Sequence, residues 1–226
     1  SFALTPFAPP IRRSLDSAGF TSPSPTQAQC WPIALQGRDV ITVAKTGSGK
    51  TIGFLLPAFH RLLNNTGRRR GPPAILVLAP TRELACQIEQ ESVKFGRSSN
   101  MRSACCYGGA PKGLQINKLR QGVEVLIATP GRLNDLLEMK VVNLSQVLFL
   151  VLDEADRMLD MGFEPQIRTI IEKIPTDRQS MMFTATWPRE VQSLAREFLK
   201  DPVEIRFGDQ NSLNAKMFIF SDNRIA

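Results

Sequence analysis

The chain has 226 residues, a formal net charge of +7, and is 42% hydrophobic and 22% charged. That length fits one large domain or two small ones with a self-sufficient core, and no apolar run approaches the ~20 residues that span a bilayer. The positive charge weakly favours a polyanionic partner such as nucleic acid.

The first segment, "SFALTPFAPPIRRSLDSAG", lacks the charged-then-apolar order of a secretory signal. The chain starts at Ser1 rather than Met and is read as a piece of something longer. Short apolar runs then alternate with helical patterns. A helix over 26–35 leads to a strand over 40–44, a helix over 50–63, a strand over 74–79 and a helix over 82–95. A strand over 102–107, a helix over 112–121, a strand over 123–128 and a helix over 131–139 follow. A strand over 148–152, a helix over 163–174, a strand over 180–184, a helix over 189–198 and a strand over 203–207 complete the series. Runs such as "ILVLA" and "LFLVL" are apolar throughout, as strands buried on both faces require. The alternation predicts an α/β fold: a mainly parallel sheet covered by helices on both sides, hence three layers. No repeat or Gly/Ser-rich linker divides it. Residues 1–35 lead into the domain, 36–208 form it, and the aperiodic 209–226 is read as a linker stub or disordered tail.

Cys30, Cys86, Cys105 and Cys106 have no C-x-x-C spacing, and the single histidine, His60, lies far from all of them, so zinc is not expected. Reduced thiols in an intracellular compartment, nucleus or cytoplasm, are the expectation. The run of arginines at 68–70, in "TGRRRGPP", reads as a solvated loop tip. Trp31 and Trp187 read as packing residues, and His60 as a partly exposed helix residue rather than a proton carrier.

"AKTGSGKT" stands between an apolar strand and an apolar helix. It follows the G-x-x-x-x-G-K-[ST] phosphate loop except that Ala44 replaces the first glycine. Ala44, Lys45, Thr46, Gly47, Ser48 and Gly49 would wrap the phosphates of a nucleoside triphosphate. Gly47 and Gly49 can take positive φ and turn backbone N–H groups towards phosphate, and the next helix points its positive end there. Lys50 would reach the outer phosphates and Thr51 would ligate Mg²⁺. Such a loop needs a carboxylate on the metal side. "LFLVLDEAD" ends its strand in Asp153, which would hold Mg²⁺, and Glu154, which would orient or deprotonate an attacking water. Asp156 and Asp160 read as surface helix positions, and Glu89 and Glu91 as solvated.

The lysine loop and "DEAD" at 153–156 resemble the DEAD-box family of ATP-dependent RNA helicases, and further blocks follow in that family's order. "GFTSPSPTQAQ" resembles its adenine-reading Q motif, with Gln27 as the glutamine and Phe20 as the internal aromatic; Phe2 stands where the family places an aromatic on adenine. Capping or flanking a helix is the other use of such a glutamine. "PTREL", "GG" and "TPGR" resemble RNA-contacting motifs, which implies contacts at Pro80, Thr81, Arg82, Gly108, Gly109, Thr129, Pro130, Gly131 and Arg132. Arg82 and Arg132 could instead form internal salt bridges. "TAT" at 184–186 stands where the family more often has Ser-Ala-Thr, and implies a coupling role for Thr184 and Thr186 with Asp156.

The resemblance covers nearly the whole chain from Phe2 to about Phe207. It implies the first RecA-like domain of an RNA helicase: an ATP hydrolase using ATP and Mg²⁺, holding RNA by its sugar-phosphate backbone, and acting as a monomer. It also implies a second RecA-like domain of the same parent, carrying arginine fingers, with no counterpart in these residues. The alternatives are another P-loop ATPase, such as a DNA helicase, and a truncated, non-catalytic RNA- or protein-binding module.

Overall fold

The computed structural model describes residues 6–45, 47–65 and 71–207, together with the backbone of 215–219. Each of the seven expected strands is present: β1 (Val40–Val43), β2 (Ile75–Leu78), β3 (Ser103–Cys106), β4 (Val125–Ala128), β5 (Phe149–Leu152), β6 (Gln179–Thr184) and β7 (Val203–Phe207). They pair in parallel in the order β3-β4-β2-β5-β6-β1-β7. An eighth strand, β8 (Ala215–Ile219), runs antiparallel to β7. The stretch read as a linker stub or tail thus contributes a strand. Its pairing satisfies the outer N–H and C=O groups that β7 would otherwise leave bare.

The sheet divides two cores by simple alternation. Ile75, Val77, Phe149 and Val151 face one layer; Leu76, Leu78, Leu150 and Leu152 face the other. The first layer holds α1 (Pro9–Ser17), α2 (Pro25–Ala34), α3 (Lys50–Leu63) and α4 (Arg82–Gly96). The second holds α5 (Lys112–Arg120), α6 (Pro130–Glu138), α7 (Ala155–Asp160), α8 (Glu164–Ile171) and α9 (Arg189–Phe198). Helix α9 shows why these segments are helical: Val191, Leu194, Ala195 and Phe198 recur on one buried face.

Helix α1 was not expected from its proline-rich sequence. Pro9 occupies the first turn, where a missing N–H costs nothing, and Ile11 and Leu15 bury one turn apart. Just before it, Phe7 packs edge-on against Trp31 at 5.0 Å between ring centroids. The Ala8 N–H donates to His60 Nδ1 at 3.1 Å. Burial holds the imidazole pKa below its usual range, so His60 serves as a neutral anchor. Trp187 packs against the second core, with the Arg206 guanidinium 5.9 Å from its ring centre. No helix among the described residues is long and apolar enough to cross a membrane.

At the end of the sheet opposite the phosphate loop, buried Asp39 ties three strands together. Its carboxylate accepts the N–H of Ser180 at 2.8 Å and of Lys200 at 2.7 Å, and its carbonyl accepts that of Val203 at 2.9 Å. Burial pushes its pKa up; the bonds from Lys200 and Ser180 pull the other way. Asp39→Ala orphans two N–H groups and is expected to cost about 2–5 kcal/mol, with Asp39→Asn intermediate because its NH₂ faces a donor. Urea denaturation measures both.

Candidate active site

All seven parallel strands end on one edge, so the loops after them gather there. The loop after β1 is fixed at both ends. The Ala44 N–H donates to the Thr184 carbonyl at 3.0 Å, and Lys50 opens α3. Between them Gly47 and Gly49 adopt φ of 82° and 79°. Ser24 Oγ donates to the Ser48 carbonyl at 3.0 Å and Gln27 Nε2 to the Gly49 carbonyl at 3.2 Å. A Cβ on Gly49 would lie 2.8 Å from each of those two side-chain atoms.

Lys50 is only 7% exposed, and its ammonium has no hydrogen-bond partner among the described residues. Ser48 Oγ is likewise buried without one. The nearest counter-charge is Asp153 Oδ1 at 3.7 Å, too long for a hydrogen bond. A buried cation in that state is a socket for an anion. It opens on a cleft of about 310 Å³ between the loop, Asp153 and Glu154 on one side and α4 on the other, a volume at the low end of small-molecule sites. Thr51 lines the same cleft, so its hydroxyl and the Asp153 carboxylate form a hard oxygen pair suited to Mg²⁺.

Asp153 is 2% exposed. Burial pushes its pKa up to about 6, the Lys50 charge pulls it down, and neighbouring Glu154 pushes it further up. Glu154 takes left-handed φ and ψ of 53° and 53°, unusual for a residue with a side chain. That turn lets its N–H donate to Asp153 Oδ1 at 3.0 Å while its side chain lines the cleft.

Asp156 is not idle on the surface. Its Oδ2 accepts from the Thr186 N–H at 2.9 Å and hydroxyl at 2.8 Å. Thr184 Oγ1 donates to the Thr186 carbonyl at 2.8 Å. Burial raises the Asp156 pKa, but the bonds from Thr186 outweigh it and the net direction is down. The expected coupling residues are therefore in direct contact.

Gln27 caps α2 and reaches the phosphate loop at once. It is 2% exposed; its Oε1 accepts the Ser24 N–H at 3.0 Å, and Ser24 Oγ accepts the Gln27 N–H at 3.3 Å. Those partners fix the amide: Oε1 faces a pure donor and Nε2 a carbonyl. Among the described residues, one lone pair and one N–H of the amide have no partner.

The loops after β2, β3 and β4 also lie on this edge. Thr81 caps α4 by accepting the Leu84 N–H at 3.3 Å, behind buried Pro80. The Arg82 guanidinium stacks 4.7 Å from the Tyr107 ring centre. Gly108, Gly109 and Gly131 have open space above them: an added Cβ would meet no atom within 4 Å. Thr129 and Pro130 are buried at the start of α6. Arg132 points inward, 7% exposed, donating to Gln115 Oε1 at 2.9 Å and to the Ala110 carbonyl at 3.0 Å. It also lies 3.7 Å from the Asp135 carboxylate. Its charge is thus engaged internally, the alternative use considered for a loop arginine. Phe2, Thr46 and the arginines at 68–70 lie outside the described residues.

A DEAD/DEAH box helicase family model matches residues 24–194, from the cap of α2 into α9. The chain belongs to that family. Among curated relatives, the DEAD-box ATP-dependent RNA helicase 14 of Arabidopsis thaliana is 55% identical over 97% of this chain and 35% of its own length. The DEAD-box ATP-dependent RNA helicase 40 of Oryza sativa subsp. japonica is 57% identical over 97% of this chain and 28% of its own. The ATP-dependent RNA helicase-like protein DB10 of Nicotiana sylvestris is 56% identical over 97% and 36%. The chain therefore spans about a third of these relatives' length.

Within this DEAD-box chain, the structure adds residues that motif reading missed. Gln87, Glu91 and Lys94 form one face of α4 and line the phosphate-loop cleft together with Phe20. Their i, i+4, i+7 spacing was a usable signal. Glu91, expected in solvent, is a cleft wall, and Glu89 pairs with Lys118. Ser24 was detectable as the start of an S-x-x-Q capping box. Gly49→Ala combines left-handed strain of roughly 1–2 kcal/mol with a clash against Gln27 and Ser24. Thermal melting is expected to show a lowered midpoint, and titration a loss of nucleotide binding.

Proposed function

We propose that this chain is the ATP- and RNA-binding first half of a DEAD-box RNA helicase, coupling ATP binding and hydrolysis to duplex unwinding or RNP remodelling. The observation that carries this is the buried Lys50 ammonium at the cleft floor, which has no hydrogen bond among the described residues and only the Asp153 carboxylate at 3.7 Å beside it. It needs anionic oxygens, and the β- and γ-phosphates supply them. Backbone N–H groups of the Gly47–Gly49 turn complete the cradle. Thr51 and Asp153 would hold magnesium, which when bound would supply positive charge against the phosphates. Glu154 is placed to accept a proton from the water whose oxygen bonds to the γ-phosphorus, as the bond from that phosphorus to the β–γ bridging oxygen breaks.

Gln27 selects the base. Its fixed amide offers one acceptor and one donor, matching adenine N6–H and N7. Guanine presents two acceptors on that edge and leaves one group unsatisfied. RNA is held by its sugar-phosphate backbone over the Gly108, Gly109 and Gly131 surface, since open backbone there suits contacts that carry no base sequence. A second RecA-like domain of the parent protein would close over the γ-phosphate and bring an arginine, a contribution of about 10³–10⁵ in rate in related enzymes.

The purified chain is therefore expected to bind Mg·ATP in preference to Mg·GTP and to turn it over very slowly, with or without single-stranded RNA. Lys50→Ala is expected to weaken Mg·ATP binding by at least about tenfold. Isothermal titration and a phosphate-release assay test these points. No heat with millimolar Mg·ATP, or robust RNA-stimulated turnover by the monomeric chain, would overturn the half-enzyme reading.

A further inference from the structure

We infer that Gln115, on α5 and outside every motif above, is a positioning residue that clamps the Gly108–Gly109 turn and joins the RNA-facing loops into one platform; this rests on the RNA-binding reading. Gln115 is 8% exposed. Its Oε1 accepts the Tyr107 N–H at 3.3 Å and Arg132 Nη1 at 2.9 Å, and its Nε2 donates to the Tyr107 carbonyl at 3.1 Å. Tyr107 N–H and the guanidinium can only donate, so the amide orientation is unambiguous.

The consequence lies in which residues are held. Tyr107 precedes the two glycines and Ala110 follows them. Gln115 grips Tyr107 through both backbone groups, and Arg132, seated on the same Gln115 oxygen, grips the Ala110 carbonyl at 3.0 Å. A turn of two glycines, one at φ 74°, is therefore fixed at both shoulders by one side-chain pair. Lys112 and Arg132 share Asp135, at 2.9 and 3.7 Å, which closes the frame around α5 and α6. On the other side Arg82 stacks on Tyr107 and brings in the start of α4. The loops after β2, β3 and β4 thus meet at the Tyr107–Gln115–Arg132 cluster.

Glycine loses more backbone freedom on ordering than any other residue. Left unclamped, the turn would pay that entropy when RNA binds; clamped, it has paid on folding. Gln115 need not touch RNA to set its affinity. Losing Gln115 removes no phosphate-neutralising charge, so it should weaken binding without changing the slope of log K against log salt.

The test uses the whole 226-residue chain, a single-stranded RNA oligonucleotide, and hydrogen exchange without RNA. Gln115→Leu is expected to speed exchange of the 107–110 amides by about tenfold or more and to raise the RNA Kd about tenfold. The salt slope and Mg·ATP affinity should not change. Gln115→Glu keeps the acceptor for Arg132 but sets an oxygen against the Tyr107 carbonyl, so it should speed exchange at the turn with a smaller loss of RNA affinity. Should Gln115→Leu melt below assay temperature, Gln115→Glu carries the comparison. Unchanged exchange at 107–110, or an RNA Kd indifferent to Gln115 in a chain that binds RNA, overturns the clamp. A wild-type chain that binds no RNA overturns the RNA-binding reading, and with it the clamp's purpose.

Discussion

The Lys50 ammonium is withdrawn from water at the head of α3 and given no hydrogen bond among the described residues. A buried charge is costly unless an opposite charge offsets it, and the Asp153 carboxylate stands 3.7 Å away. Much of the surrounding architecture follows from keeping that charge in place. The parallel strands β1, β5 and β6 bring Lys50, Asp153 and Thr184 to one edge. The side chains of Ser24 and Gln27 brace the loop from behind by taking two of its carbonyls.

The same constraint accounts for the strained residues. Gly49 is glycine for two reasons: its φ is left-handed, and a side chain there would strike the brace. Glu154 is left-handed despite having a side chain, and in that conformation its N–H caps Asp153 while the residue lines the cleft. Asp153 stands close enough to feel the Lys50 charge and, at 3.7 Å, too far to hydrogen-bond it. Stability is secured elsewhere: Asp39 binds the far ends of β1, β6 and β7, away from the strained loops. A fold arranged this way can change at its working edge without loosening its base.

Much of this was legible in the sequence because buried parallel strands are apolar on both faces, and "ILVLA" and "LFLVL" admit few other readings. The convergence of Lys50, Thr51, Asp153 and Glu154 followed from placing each at a strand's carboxyl end. Helix α1 was hidden because its prolines suggest a loop until one is seen at the first turn. Helix α7 did not enter the strand–helix series, although Asp156 and Asp160 were read as helix positions, because it is short and is separated from α8 by a turn through left-handed Gly162. Strand β8 shows no pattern of its own and depends on β7 for its pairing. The inward course of Arg132 could not be read, since its buried acceptor lies seventeen positions away on another helix. Gln27 was assigned to a base, with helix capping as the other use; it does cap α2 through Ser24, a local contact, whereas its hold on Gly49 is set by tertiary packing.

One short series of bonds has a mechanical meaning. The Ala44 N–H rests on the Thr184 carbonyl, the Thr184 hydroxyl on the Thr186 carbonyl, and Thr186 on Asp156 at the start of α7. The phosphate loop and α7 are thereby joined by a continuous series of hydrogen bonds through the end of β6. A displacement at the start of α7 therefore has a hydrogen-bonded route to the floor of the cleft.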